Sequence, residues 1–205
     1  MDFYSPADGA KLVRAARNAI ELYIGSREFR NEAVERTIPG FTQKHGVFVT
    51  LYHYPTMSLR GCIGFTEPIA PMSSMLVEAA IAAASEDPRF VPVSHLELEH
   101  LLVEVSVLSA PERLKGSPEA IRKQVRIGRD GLIIEYGYNK GLLLPIVAVE
   151  ERWSVPKFLG EVCIKAGLPE HAWRSSGAQL YRFSTQVFRE REPRGRAEEV
   201  RLETP

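Results

Sequence analysis

The segment Leu59-Arg60-Gly61-Cys62-Ile63-Gly64 places two glycines, a cation and a thiol in a stretch that otherwise has the character of a β-strand. Successive side chains of a strand point to opposite faces, so Arg60, Cys62 and Gly64 are expected on one face and the alternate residues on a buried face. Glycine inside a strand costs stability. Two glycines so close together therefore predict that a ligand or another backbone approaches this strand closely, and Gly64 in particular leaves room for one of them.

The same segment carries the best candidate chemistry. A guanidinium two residues from a thiol favours the thiolate, which makes Cys62 a candidate catalytic nucleophile. The competing interpretation is a buried cysteine that serves as a small apolar residue, since free cysteine is among the most buried residue types. Arg60 either holds a carboxylate or phosphate through its planar fork, or forms a structural ion pair with Glu104 on another predicted strand.

Composition limits the class of protein. A chain of 205 residues is long for one domain and short for two. We therefore expect a single domain with two lobes over residues 1 to 188, followed by a mixed-charge segment over residues 189 to 205. The 26 basic and 26 acidic residues give no net field to concentrate nucleic acid or anionic lipid.

Several classes of site have no signature here. No apolar run reaches the roughly 20 residues that span a bilayer, and the first residues lack a secretory pattern, so we expect a cytoplasmic protein. Two cysteines are too few for a disulfide framework, and free thiols are expected, although a Cys62 to Cys163 bridge is formally open. Neither zinc nor calcium spacing nor a phosphate-binding glycine motif is present, so no metal or cofactor is predicted.

Hydrophobic periodicity and turn residues predict the order of the elements. The first helix begins at Ser5-Pro6, and its polar face is predicted to be solvated; a nucleic-acid stripe is the alternative for that face, which carries Lys11, Arg14, Arg17 and Asn18. The remaining predicted elements are a hairpin of Val47 to His53 with the glycine-rich segment, a helix over Pro71 to Ser85, a strand over Leu101 to Ser109, a short helix from Ser117, strands over Val125 to Tyr138 and Gly141 to Val149, and a helix from Ser154 to Gly167. Beyond Phe188 a solvated tail is favoured over an ordered terminal strand.

Six segments resemble, in order and spacing, those of the AMMECR family, named for a chromosomal region linked to Alport syndrome, midface hypoplasia and elliptocytosis. They are Gly46 to Leu51, Leu59 to Gly64, Asp87 to Phe90, Glu104 to Leu108, Gly141 to Pro145 and Cys163 to Leu168. The resemblance extends from about Ala16 to Phe188. It implies an α+β fold, with a mixed, mainly antiparallel sheet flanked by helices and two lobes of unequal size around a cleft near Leu59 to Gly64. It implies no activity, because the family has no established one.

Three further positions complete the candidate site. Arg89 is carried over by the resemblance, and Glu150 and Trp153 lie between an apolar strand and a helix start, where polar groups can be aimed into a cleft. The chain departs from the family at Ile146 and Val149, where the family commonly has glutamine and proline. The candidate ligand-binding residues are Leu59, Arg60, Gly61, Cys62, Ile63, Gly64, Arg89, Glu104, Glu150 and Trp153, with Cys62 as the candidate catalytic residue.

Three functional hypotheses follow. The first is binding of a small anionic ligand or substrate in the inter-lobe cleft, of which a thiol-dependent enzyme is one form. The second is a non-catalytic scaffold that binds partners, for which the resemblance implies a Memo-type protein and a radical-SAM protein. Nucleic-acid binding through the first helix is the weakest, because the overall charge is balanced. A monomer or a homodimer is expected, without membrane association.

Overall fold

The computed structural model describes residues 4–25, 38, 40–43, 45–67 and 69–201. The chain is α+β, as predicted, and it divides into two compact units. The first unit contains the described residues through Leu108 together with Gln186–Arg201, and the second contains Ser109–Thr185. The predicted arrangement of two lobes around a cleft stays a prediction.

The first unit is built from two long helices and five strands or strand segments. These are α1 (Pro6–Gly25), β1 (Gly46–His53), β2 (Ser58–Phe65), α2 (Met72–Ser85), a 3₁₀-helix (His95–His100) and β3 (Leu101–Leu108). Strand β7 (Gln179–Glu190) begins in the second unit and ends in the first, where β8 (Ala197–Val200) follows it. The second unit contains β4 (Glu112–Arg113), α3 (Pro118–Gln124), β5 (Asp130–Tyr136), β6 (Asn139–Leu143), α4 (Pro145–Glu150), α5 (Val155–Lys165) and a 3₁₀-helix (Ala172–Arg174).

The sheet of the first unit has the strand order β2-β1-β3-β7, with β8 paired to β7. Strand β1 pairs antiparallel with both β2 and β3. Alternate β1 residues, Val47, Val49 and Leu51, have no exposed surface and join the core that α1 and α2 cover. Helix α1 begins as predicted, because the Ser5 hydroxyl accepts the Asp8 N–H at 3.2 Å.

A bulge interrupts the hairpin of β1 and β2. Leu51 lies opposite Gly61 and Tyr52 lies opposite Leu59, so Arg60 has no partner residue on β1. One extra residue in a strand bends it and shifts the alternation of its side chains. The predicted alternation therefore fails at this end of β2: Leu59, expected in the core, is 38% exposed, and Arg60 is buried.

Strand β3 is buried on both faces, including Glu104, whereas the sequence predicted one polar face. The alternation of valines correctly identified the strand and its core face. The alternation of residue types identifies one apolar face. It does not show whether another element also covers the face that carries Leu102, Ser106 and Leu108.

The second unit has its own sheet and core. Strand β5 pairs antiparallel with β6 and with the first half of β7. Helix α5 lies where it was predicted, and its apolar stripe is fully buried, Cys163 included. Gly167, just beyond the helix, has a φ of +72°, the left-handed conformation that favours glycine there.

The strand predicted over Gly141 to Val149 is wrong in its second half. Strand β6 ends at Leu143, and α4 begins at Pro145. The apolar run suggested a buried strand. Proline, however, is favoured at the first position of a helix: its φ is already helical, and the N–H that it lacks would have no partner within the helix. The proline, rather than the hydrophobicity, marks the change of structure.

The solvated tail predicted after Phe188 is wrong for residues 189 to 200. Strand β7 continues to Glu190, and Ala197–Val200 returns as β8. Glu190 is only 3% exposed, because it accepts hydrogen bonds from the buried Arg17 of α1. Arg17 itself was predicted to lie on a solvated helix face. The rest of the predicted tail, residues 202–205, lies outside the described residues.

Within the described part of the chain, no helix has both the length and the apolar character needed to cross a bilayer. Both cysteines are free thiols, as predicted, with Cys62 partly buried and Cys163 fully buried.

Candidate functional site

Three polar side chains form a row across three neighbouring strands of the first unit. Thr50 of β1 lies directly opposite Cys62 of β2 on one side and Glu104 of β3 on the other. Directly opposed residues of antiparallel strands project to the same face of the sheet. The Thr50 hydroxyl donates to Cys62 Sγ at 3.2 Å. We call Cys62, Thr50 and Glu104 the polar row; it lies on the face opposite the core formed with α1 and α2.

The Glu104 carboxylate receives its positive partner from β7. Arg189 Nη1 donates to Glu104 Oε2 at 3.4 Å, and the Tyr52 hydroxyl donates to Oε1 at 3.5 Å. The Arg189 guanidinium also lies 6.0 Å from the centre of the Tyr52 ring. These contacts compensate the burial of a carboxylate that is only 11% exposed.

Arg60 does not pair with Glu104, so that prediction is wrong. Its Nε donates to Glu97 Oε1 at 2.7 Å, and its Nη2 donates to Glu97 Oε2 at 3.3 Å and to the Val91 carbonyl at 2.9 Å. Because of the bulge, the Arg60 side chain does not follow the predicted alternation. The segment after α2 places Glu97 beside it. Arg60 is 5% exposed. A guanidinium that is buried and bonded through Nε and Nη2 holds the fold together, and its burial makes it a poor receptor for an external anion.

The Arg60 to Glu97 pair predicts a pH-dependent contribution to stability. Hydrogen bonds from Arg60 lower the pKa of Glu97 from 4.5 to about 2. A carboxyl whose pKa falls on folding stabilises the protein above its unfolded pKa, and this contribution is lost as the pH falls from about 4.5 to about 2. Glu97→Gln should therefore be less stable than wild type at neutral pH, and the difference should shrink through that window. Urea unfolding at several pH values measures it.

Glu112→Gln is the matched control for this experiment. Glu112 also pairs with an arginine, Arg182, at 2.7 Å, but its side chain is 66% exposed. Exposed ion pairs contribute little. A Glu97→Gln difference that stays constant between neutral and acidic pH would contradict the assignment.

Asp87 and Arg89 cover the open edge of β2 at Cys62. Strand β2 stands at the end of the strand order in the first unit. The Cys62 N–H donates to Asp87 Oδ2 at 2.8 Å, and Arg89 Nη2 donates to the Cys62 carbonyl at 3.4 Å. Arg89 in turn donates to both carboxylate oxygens of Asp87, at 2.9 and 2.7 Å. We call Asp87 and Arg89 the edge clasp, since they satisfy backbone groups that a neighbouring strand would otherwise bond.

The electrostatics of the clasp differ from those predicted around Arg60. Hydrogen bonds from Arg89 hold the pKa of the Asp87 carboxyl well below its usual range, so the clasp is an ion pair at any ordinary pH. Burial raises the pKa of the Cys62 thiol, and the Thr50 hydrogen bond and the Arg89 charge offset this only in part. The predicted activation of Cys62 by Arg60 is therefore wrong. The cation beside Cys62 is Arg89, and the resting thiol is neutral.

Both glycines of the segment serve close packing. A Cβ on Gly61 would lie 2.2 Å from the Ala83 carbonyl oxygen of α2. A Cβ on Gly64 would lie 2.3 Å from the Val47 carbonyl oxygen and 2.5 Å from Phe48 Cγ. The predicted close approach of another backbone is confirmed at both positions. The room predicted for a ligand at Gly64 is taken by β1.

Arg89 is the accessible cation of the site. Its side chain is 53% exposed, while Nε and Nη2 are fixed by Asp87. In the described part of the chain, Nη1 has no hydrogen-bond partner, so two donors of a rigidly held guanidinium remain available. The resemblance had supplied this residue as a candidate ligand-binding residue.

The remaining predicted residues have simpler surroundings. Ile63 packs against the core of the first unit. Glu150 is the exposed last residue of α4. Trp153 packs against the core of the second unit, with its ring centre 6.3 Å from that of Phe158. Structural packing thus accounts for Ile63 and Trp153, and Glu150 belongs to the second unit, whereas the polar row belongs to the first.

Sequence reasoning missed Glu97, Thr50, Tyr52 and Arg189 as neighbours of the motif. Thr50 lies in a segment that the resemblance includes, and its place opposite Cys62 follows once the hairpin register is known. Nothing in the local sequence marks Glu97 or Arg189. Among the residues described, no cluster of three or more histidine, cysteine, aspartate or glutamate side chains has metal-binding geometry.

Comparison with known proteins places the chain among proteins of the same length and fold. A family model described as AMMECR1 matches residues 13–188. Protein MJ0810 of Methanocaldococcus jannaschii is 47% identical over 196 residues, which cover 95% of this chain and 96% of that protein. A protein of Thermofilum pendens is 46% identical, with 97% of each chain covered. The crystal structure of the uncharacterized protein PH0010 from Pyrococcus horikoshii is similar with a TM-score of 0.88, at 44% identity over 97% of this chain and 98% of that one.

Proposed function

This chain belongs to the AMMECR1 family, and from that premise we propose that it binds a small anionic molecule beside Cys62, with Arg89 as the anion receptor. The observation that carries the proposal is the half-exposed Arg89 guanidinium, whose Nη1 donors are free within the described residues. Arg60, the residue that the motif suggested, is already bonded to Glu97.

The geometry of Arg89 suits recognition of a carboxylate or phosphate. Two bonds to Asp87 hold the guanidinium plane in place, so little side-chain entropy is lost when an anion binds. Because the Asp87 charge is matched by Arg89, an incoming anion meets a neutral pair rather than a free cation. We therefore expect this contact alone to give modest affinity. Contacts of the uncharged parts of the molecule would supply the rest of the binding free energy.

Cys62, at the end of the polar row, is the member of the row that such a molecule would contact, because Thr50 and Glu104 are buried. Cys62 is only partly buried, and Thr50 and Glu104 continue the row from it. The raised pKa of the Cys62 thiol favours a role in binding over a thiolate nucleophile at rest. Binding is accordingly the proposal, and thiol-dependent catalysis would require the molecule itself to lower that pKa.

Native mass spectrometry of the protein purified from its own cells tests the proposal. We expect wild type to retain a non-protein mass that Arg89→Ala loses. Arg129→Ala is the matched control, because Arg129 also forms two bonds to an adjacent aspartate, Asp130, and its side chain is 44% exposed. Wild type without a retained mass, or an equal retained mass in Arg89→Ala, would refute this function.

Partner binding is the second candidate, favoured by apolar side chains that surround the buried Arg60. Leu59 is 38% exposed, Val91 76% and Leu96 83%. Arg60 bonds the Val91 carbonyl and Glu97, the neighbour of Leu96, so the segments that carry these side chains come together at Arg60. Exposed apolar surface of this kind marks interaction sites. The resemblance implies Memo-type and radical-SAM proteins as partners, so titration of this protein with each of them tests the candidate. A surface variant such as Leu96→Glu should weaken any association found.

A further inference from the structure

A second surface of the first unit, lined by residues other than those of the anion site at Arg89, forms a groove between α1 and the hairpin of β7 and β8. Its volume is about 1140 Å³. One wall is the polar face of α1, including Lys11, Arg14 and Asn18, and the other is the hairpin from Glu190 to Glu199. We call this space the hairpin groove.

Most charges of the groove are already paired. Arg17 and Glu190 are buried, at 4% and 3% side-chain exposure, and form an ion pair that closes its base. Arg194 donates to Glu21 at 2.8 Å, and Arg191 pairs with Glu198. The first two pairs join the hairpin to α1, and the third lies within the hairpin.

Two guanidinium groups remain. Over the residues that the structure describes, neither the guanidinium of Arg14 on the helix wall nor that of Arg196 on the hairpin wall has an ion-pair or hydrogen-bond partner. Both are exposed. Lys11 adds a third cation, which pairs only with the exposed Asp8 at 2.9 Å. Unpaired cations on both walls of one groove give it a positive character that the balanced charge of the whole chain conceals.

We propose that the hairpin groove binds an extended acidic segment of a partner protein. The groove exceeds the usual volume of small-ligand pockets, which extends to about 1,000 Å³. Arginine forks bind carboxylates through two parallel hydrogen bonds, so Arg14 and Arg196 suit acidic side chains spaced along a peptide. No aromatic side chain lies among the described residues that line the groove, which removes the stacking surfaces that single-stranded nucleic acid uses.

Fluorescence anisotropy with a labelled deca-glutamate peptide at low salt tests this site in the full-length protein. We expect saturable binding to wild type, weakened at least about tenfold by the double charge reversal Arg14→Glu with Arg196→Glu. The matched control is Arg122→Glu with Lys123→Glu, which makes the same change in net charge on the last turn of α3. It should change the dissociation constant by less than about twofold.

The outcomes separate the alternatives. Absence of peptide binding to folded wild type, or equal loss in both double variants, would overturn the proposal. Tighter binding of a ten-nucleotide oligothymidine than of the peptide would also overturn it and assign the groove to nucleic acid. Circular dichroism tests whether both double variants are folded. If the variant with Arg14→Glu and Arg196→Glu is not folded, Arg14→Gln with Arg196→Gln replaces it.

Discussion

Replacing Glu190 with alanine should lower the free energy of unfolding by about 3 to 5 kcal/mol, the usual cost of removing one partner of a buried ion pair. Glu190 is 3% exposed and accepts hydrogen bonds from the Arg17 side chain and from the Val103 N–H at 2.9 Å. Without it, a buried guanidinium loses its nearest counter-charge and a backbone donor of β3 loses its acceptor. Arg17 would keep its bonds to the Leu98 and Leu101 carbonyls and a longer ion pair with Glu21, at 3.7 Å.

Chemical denaturation measures this effect, with Glu112→Ala as the control. Glu112 pairs with Arg182 at the surface, so its removal should cost less than about 1 kcal/mol. Glu190→Gln should fall between the two, since it keeps an acceptor oxygen but loses the charge. Equal stability of Glu190→Ala and Glu112→Ala would show that the end of β7 is not held as described.

Gly61→Ala should have the next largest effect, a loss of about 2 to 3 kcal/mol or more. The new Cβ would stand 2.2 Å from the Ala83 carbonyl oxygen, a backbone atom that can move only if α2 moves. Helix α2 packs against the sheet through a run of small alanine side chains. The added methyl would therefore separate a helix and a sheet that share one core.

Thermal or urea unfolding of Gly61→Ala should be compared with Gly25→Ala. Among the residues that the structure describes, none lies within 4 Å of a Cβ placed on Gly25, the last residue of α1. That change should be neutral or slightly stabilising, because alanine favours the helix by up to about 1 kcal/mol. Wild-type stability in Gly61→Ala would contradict the close approach of α2 to β2.

These two positions also show how far sequence reasoning reached. The close approach at Gly61 was predictable, because glycine weakens the interior of a strand and often marks a place where another backbone comes near. The Arg17 to Glu190 pair was not, since 173 residues separate its members and each looked solvated in its local pattern. Local periodicity reports which face of an element is apolar. It does not report which charged residue of that element a distant strand will cover.

In the candidate site, too, the sequence identified some residues, whereas their contacts became known only from the structure. The motif identified Cys62 and the strand that carries it, and the resemblance identified Arg89. The role given to Arg60 failed because one unpaired residue in β2 breaks the alternation on which that role rested. No residue pattern in Leu59 to Gly64 predicts that bulge. The pairing of the edge clasp with Cys62 depends on how the chain returns after α2, which only the folded structure supplies.

The pH dependence of Cys62 alkylation tests the central claim, that Arg89 is the cation beside a thiol kept neutral by burial. Iodoacetamide labelling followed by peptide mass mapping gives the rate at Cys62 alone, and glutathione measured in parallel gives an ordinary thiol. The midpoint for wild type should lie above that of glutathione, Arg89→Ala should move it higher still, and Arg129→Ala should leave it unchanged. A wild-type midpoint below that of glutathione, or one that does not respond to Arg89→Ala, would contradict the account.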